Sequence, residues 1–317
     1  MATIVHQPIT KARAPWLIGA SALLLLFAFM ILNIGWLHMH PDETLSYVST
    51  EGGLADIIHF QVSLQDNQAP GWFSVFWAWR QTLGDGEFTS RMLGLLTALI
   101  ALAVAYQIGR RAGGDAWAVG LGIVCLIGNA FFFQYAYDIR PYPLVMLTAM
   151  LSLWAFQRWL AQPSLRRTII YGVSVAAMLY VHYLLALFVV VHAIYLLTHV
   201  RLTVKRIARF VLAGVVAGVL FAPWFPVFVA HVQHLRAVEA QSGTGRGVAG
   251  IGVSTFATSA DTVQALIDLA TNGLAVVYGL LLLLGVVLVG RRRGWRLLIM
   301  CALGVPIVYL AVNLVAG

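Results

Sequence analysis

Apolar positions run along this chain in stretches longer than a soluble core requires. From Pro15 to Leu37 there are 23 residues without Asp, Glu, Lys or Arg, above the roughly 18 needed to cross a hydrocarbon core as a helix. Further apolar stretches occupy 92–109, 116–137, 141–157, 210–230, 269–290 and 297–317. A longer one, 168–200, holds 33 uncharged residues between Arg166-Arg167 and Arg201. With basic residues at both ends it reads as two crossings joined by a tight turn near His182-Tyr183, each of ~16 residues at ~1.5 Å rise per residue. The pattern predicts an all-α polytopic membrane protein of about nine transmembrane helices, forming a single transmembrane domain over 1–317.

Charge placement orients those helices. The segment 69–83, APGWFSVFWAWRQTL, is apolar and aromatic but short, and Arg80 interrupts it. If it lies along the outer surface as an interfacial helix, 15 of the 20 Lys and Arg fall inside, leaving Arg80, Arg91, Arg140, Arg236 and Arg246 outside. Of the 12 acids, only Asp115 is then inside. If it spans, every later loop violates the positive-inside rule. The interfacial reading therefore stands. The opening segment reads as a signal-anchor retained as the first helix, with Lys11 and Arg13 as its positive flank and the amino terminus cytoplasmic. Two outer loops result, 38–91 with room for two or three interfacial helices, and 231–262, which reads as flexible.

Composition agrees: 61% hydrophobic and 10% charged residues, with mean hydropathy +0.86. The net charge of +8 is accounted for by cytoplasmic loops, so no nucleic-acid partner is inferred. Cys125 and Cys301 both fall in apolar runs and read as small packing residues. The spans carry few ionisable groups, chiefly His192 and the span-end His182, which weighs against ion-coupled transport. SGTGRGVAGIG, Ser242 to Gly252, has no preceding strand and no Lys-Ser/Thr after it, so a flexible loop is preferred to a phosphate cradle.

The polar chemistry gathers at the outer ends of the spans. LHMHPDETLSY, Leu37 to Tyr47, sets Asp42 and Glu43 after Pro41 at a helix start. These acids could complement a helix dipole, or a carboxylate partly desolvated there could serve as a general base. A metal site from His38, His40 and Asp42 is a weaker alternative. Tyr135 to Tyr142, YAYDIRPY, presents Asp138 and Arg140 beside aromatic rings, and Arg suits bidentate phosphate binding. In GDGEFTSR, Glu87 and Arg91 stand at i,i+4, either as an ion pair or with Arg91 binding phosphate.

These motifs together resemble the GT-C superfamily of polyprenyl-phosphate-sugar glycosyltransferases, of the protein O-mannosyltransferase and aminoarabinose-transferase type. HPDETLSY (40–47) is similar to the acidic motif of that family's first outer loop. QAPGWFSVFWAW (68–79) is similar to its His-Pro-Pro-aromatic interfacial helix, with Gln68 standing where the family has His. YAYDIRPYPLVML (135–147) is similar to its second-loop motif, YVHYLLALF (180–188) to its Thr-His-Tyr turn, and APWFPVFVAHV (222–232) closes a resemblance covering about 15–230.

The resemblance implies inverting transfer of a hexosyl or pentosyl group from a polyprenyl-phosphate carrier to a hydroxyl of a lipid, glycan or protein acceptor. The expected place is the outer face of a bacterial inner membrane. It makes Asp42 the catalytic base beside Glu43. Arg140, Asp138, Arg91, His182, Tyr142 and Gln68 are then the substrate-binding set, Arg140 and Arg91 on phosphate and the acids and His182 on sugar or acceptor. No metal ligand is assigned. A divalent metal held by Asp42 and Asp138, as acids of the first two outer loops hold one in some members, stays open. Gln68, together with a carboxyl end carrying fewer helices than such enzymes, leaves a non-catalytic membrane subunit of a larger complex as the alternative.

Overall fold

The structure, a computed structural model, describes residues 14–33, 39–63, 68–242, 271, 273–290 and 292–316, and the regular elements among these are all helical. Helix α1 (Ala14–Asn33) precedes three short helices, α2 (Pro41–Val48), α3 (Leu54–Val62) and α4 (Gly71–Leu83). Then come α5 (Glu87–Arg111), α6 (Ala116–Ile127), α7 (Ala130–Tyr135), α8 (Tyr142–Ala161) and α9 (Leu165–Val181). A 3-10 turn (Tyr183–Leu185) leads to α10 (Ala186–His199), followed by α11 (Val204–Phe221), α12 (Phe225–Ser242), α13 (Ala275–Val289) and α14 (Arg293–Ala316). Lys11, Arg13, His38 and residues 243–262, with most of the Gly-rich run, lie outside the described residues.

By length and apolar composition α5 and α8 can each cross a membrane, and the bent pair Val204–Phe221 with Phe225–His234 adds a third span if it counts as one. Shorter apolar helices cover Leu23–Leu32, Ala116–Ile127, Tyr183–His199, Ala275–Val289 and Gly294–Tyr309. The polytopic all-α reading therefore holds among the described residues. Two expected spans, however, are broken. The run 116–137 is two helices, because Gly128 ends α6 and the Asn129 side chain caps α7 by accepting from the Phe132 amide at 3.0 Å. The run 210–230 turns through 77° at 222–224, where Pro223 and Pro226 lack the amides a continuous helix needs. The loop expected from 231 is helical through Ser242, since HVQHLRAVEAQS contains no helix breaker.

Helices start where polar caps meet apolar runs. Asp115 accepts from the amides of Trp117 and Ala118, both at 3.1 Å. Ser164 does the same for Arg167 at 3.3 Å and Thr203 for Arg206 at 3.2 Å. The main core joins α5, α8, α9, α10, α11 and α14 through Phe156, Trp159, Tyr171, Val191, Ala213 and Leu297. His192 lies inside it, stacked on Phe156 at 4.2 Å with Tyr171 Oη 3.0 Å from Nδ1. Isolated ionisable groups in spans usually mark function, yet this one is packed as a core side chain. By contrast, α13 buries none of its side chains, and Leu280 to Leu284 all face outward, as a lipid-facing helix would.

A separate cluster places the site. Trp72, Phe73 and Phe76 of α4 pack with Ile57 of α3, Leu93 of α5 and Ile139 of the α7–α8 turn. At 13 residues α4 is ~20 Å long, short of the ~30 Å hydrocarbon thickness. It roofs the start of α5. Gly71, at its first turn, lies so close to the end of α9 that a Cβ there would stand 2.5 Å from the Tyr180 carbonyl oxygen. Gly71→Ala is therefore expected to lower stability by ~1–3 kcal/mol. Gly218→Ala, where a Cβ meets nothing within 4 Å, should be neutral or raise stability by up to ~1 kcal/mol. Thermal unfolding in detergent of the two variants measures the difference.

Candidate active site

Helix α2 opens with His40 as its cap and Pro41 at its first position. Glu43 closes a capping box, its Oε2 accepting from the His40 backbone amide at 2.9 Å. The same carboxylate accepts from Arg91 Nη2 at 3.0 Å and, through Oε1, from the Ile139 amide at 3.0 Å. Glu43 and Arg91 are each 1% exposed. One buried carboxylate thus ties together α2, α5 and the α7–α8 turn. Arg91 also meets Glu87 Oε1 through Nη2 at 3.0 Å and Nε at 3.1 Å. A second connection runs beside it: Ser46 Oγ donates to the Ile139 carbonyl at 2.7 Å, and Tyr47 Oη to Ser90 Oγ at 2.7 Å.

These ties hold open a cavity of about 230 Å³ between α2 and the α7–α8 turn. Asp42, one residue before Glu43, points away from the core with its side chain 59% exposed. Arg140 reaches across from the turn. Its Nη1 donates to the Asp42 carbonyl at 3.1 Å, and its Nη2 stands 3.9 Å from Asp42 Oδ2. Arg140 Nε is buried and has no hydrogen-bond partner. Tyr135 and Tyr142 meet edge to face at 4.7 Å on the same wall. Asp138 completes the ring of charge. Burial pushes its carboxyl up to about 6, the neighbouring Glu43 adding to the rise and Arg91 opposing it.

Of the residues singled out in the sequence, Asp42, Glu43, Arg91, Asp138, Arg140 and Tyr142 all line this cavity. Gln68 and His182 do not line it. His182 caps the 3-10 turn, its Nδ1 accepting from the Leu184 amide at 3.3 Å, and burial lowers its pKa, so it stays neutral near pH 7. Sequence reasoning passed over Gln134, Tyr135 and Tyr137 as wall residues. Tyr135 and Tyr137 sat within a quoted motif and could have been found there. His40, which the sequence offers as a metal ligand, also lines the cavity, and its Nδ1 accepts from the Asp42 amide at 3.3 Å. Among the described residues no group of three or more His, Cys, Asp or Glu could hold a metal ion.

Comparison with known proteins adds one match. A family model described as dolichyl-phosphate-mannose-protein mannosyltransferase matches residues 67–226, half of the chain. Arg91, Asp138 and Arg140 fall within the matched segment, whereas Asp42 and Glu43 precede it. No curated protein and no solved structure gives a match.

Two outcomes are expected from this geometry. Arg91→Gln strands Glu43 in a buried site and should lower unfolding free energy by ~3 kcal/mol. Glu43→Gln should cost less, because Glu87 still pairs Arg91, and the double variant should cost less than the sum of the two. Chemical denaturation of the four proteins measures that coupling. The second outcome concerns Asp138. Its raised carboxyl binds a proton more tightly folded than unfolded, so the stability it contributes is complete below the ordinary carboxylate range and is lost as pH rises through about 6. Asp138→Asn should remove that loss. Melting curves should show it ~1 kcal/mol more stable than wild type above that pH, after allowing for solvent around a half-exposed group, and the gap should close near pH ~4.

Proposed function

Since the chain belongs to the dolichyl-phosphate-mannose-protein mannosyltransferase family, we propose that it moves a sugar, with inversion, from a polyprenyl-phosphate carrier to an acceptor hydroxyl in the cavity between α2 and the α7–α8 turn. Family membership makes it a membrane glycosyltransferase with a lipid-linked sugar donor. The sugar, the acceptor and the face of the membrane belong to the proposal. The face is assigned as the outer one because the cavity lies at the end of the helices opposite the basic clusters.

The observation that carries the reading is the pairing of Asp42 and Arg140 across the cavity at 3.9 Å. Glu43 and Arg91 neutralise each other in the core, so Asp42, Arg140 and Asp138 are the charges left to meet substrate. The acceptor hydroxyl gives its proton to Asp42 as its oxygen forms a bond to the anomeric carbon. The bond from that carbon to the phosphate oxygen breaks on the opposite face, and the leaving phosphate takes the electron pair. Arg140, with Nε uncommitted, receives the developing charge. Asp138 and the Tyr142 ring hold the sugar. Pockets that enclose a whole ligand are typically ~300–1,000 Å³, so about 230 Å³ suits the reacting head of a long amphiphile whose tail lies elsewhere. Glu43 and Arg91 act as positioning residues, and no step is assigned to Gln68 or His182.

The test is a transfer assay in lipid nanodiscs with a panel of polyprenyl-phosphate sugars. Asp42→Asn should lower kcat ~10²–10⁴-fold with an unchanged melting temperature. Arg140→Lys should keep the charge, lose the planar fork and raise KM. Equal turnover by wild type and Asp42→Asn would remove Asp42 from the mechanism.

A further inference from the structure

The end of the bundle opposite the cavity carries a second charged surface that the proposed reaction does not use. It gathers the last turns of α5 and α8 and the first turns of α6, α9, α11 and α14. Gly294 of α14 backs directly onto Ala112 after α5, and Trp295 lies against Gly114, which fixes these ends at one level. Among the described residues, Arg110, Arg111, Arg158, Arg167, Lys205 and Arg206 stand there with one carboxylate, Asp115, and that one is occupied in capping α6. Several of these arginines spend donors on chain-end carbonyls, Arg110 on Gly114 at 2.7 Å and Arg167 on Arg158 at 3.1 Å.

Arg111 and Arg158 are different. Each guanidinium rests on the Trp154 ring, Arg158 at 4.6 Å and Arg111 at 5.9 Å from its centroid. Neither makes a side-chain hydrogen bond or meets a carboxylate among the described residues; the ion pairs at Asp42, Glu43, Asp85 and Glu87 all lie at the cavity end. Two planar forks therefore converge on one indole with their donors unspent. Trp154 sits one helical turn before Arg158, near the end of α8, and is half-buried; tryptophan at a span end lies between headgroups and acyl chains. Arginines at that depth extend toward the headgroup layer.

We propose that Arg111, Trp154 and Arg158 form a binding site for the phosphate headgroup of an anionic phospholipid in the leaflet at the basic end. The guanidinium forks match a phosphate bidentately. The indole's place at a span end suits a phosphate that carries acyl chains, and the scarcity of carboxylates among the described residues at this end favours an anionic lipid over a zwitterionic one.

The test is lipid retention by the intact chain, exchanged from nanodiscs containing an anionic phospholipid (phosphatidylglycerol) or phosphatidylcholine alone and read by native mass spectrometry. Wild type should retain phosphatidylglycerol preferentially, and Arg111→Gln with Arg158→Gln should weaken that retention about thirty-fold, two charges lost at the surface. The double Lys variant, which keeps the charge but loses the planar forks, should retain less than wild type and more than the Gln variant, and millimolar inorganic phosphate should not displace the lipid. Melting in phosphatidylcholine alone checks that the Gln variant folds; if it does not, Trp154→Phe, which weakens the shared ring, is read by the same assay and should lower retention. Equal retention by wild type and the folded variant, equal loss of phosphatidylcholine, or displacement by inorganic phosphate would each overturn the proposal.

Discussion

The buried ion pair between Glu43 and Arg91 is the contact on which the rest of the cavity end depends. A carboxylate and a guanidinium at 1% exposure are costly to remove from water unless each finds several partners. Here they do: Glu43 is met by Arg91 and by the amides of His40 and Ile139, and Arg91 is met also by Glu87. Because those partners come from α2, α5 and the α7–α8 turn, satisfying one pair of charges fixes three segments relative to each other. The apolar cluster of Trp72, Phe73, Phe76 and Ile139 then shields the same junction from the other side.

That arrangement separates two jobs that adjacent acids could otherwise share. Glu43 is held in the core by its hydrogen bonds, so its neighbour Asp42 is turned to the cavity by the geometry of a first helical turn. Arg91 is saturated, while Arg140 keeps an unpartnered Nε. A buried pair behind and a more exposed pair in front would suit the group transfer proposed above. In the proposed reaction the rear pair would hold position with no reorganisation, and the front pair, 3.9 Å apart, would part to admit a hydroxyl and a phosphate.

Much of the bundle was legible in the chain because an uncharged run above the hydrocarbon thickness has few other uses. Its breaks were not. A hydropathy window averages over Gly128-Asn129 and over Pro223 and Pro226, so 116–137 and 210–230 read as continuous when their backbones are not. At the site, Asp42, Asp138 and Arg140 could be marked from their motifs, but the partnership of Arg91 could not. The visible neighbour of Arg91 is Glu87, one turn away, whereas its buried partner Glu43 lies 48 residues earlier. Contacts of that range depend on how α2 docks, which no local pattern encodes. Gln68 is marked by resemblance alone and His182 by its place at a span end, and the cavity lining includes neither.

The proposed reaction requires the lipid-phosphate sugar to sit between Asp42 and Arg140. The most direct measurement is a structure of the protein in nanodiscs with a non-transferable polyprenyl phosphono-sugar bound. The phosphonate should lie within hydrogen-bond distance of the Arg140 guanidinium, the sugar ring against Tyr142 and Asp138, and the acceptor side of the anomeric carbon open to Asp42. A phosphonate held elsewhere, for instance beside His182 with the α2 cavity empty, would contradict it.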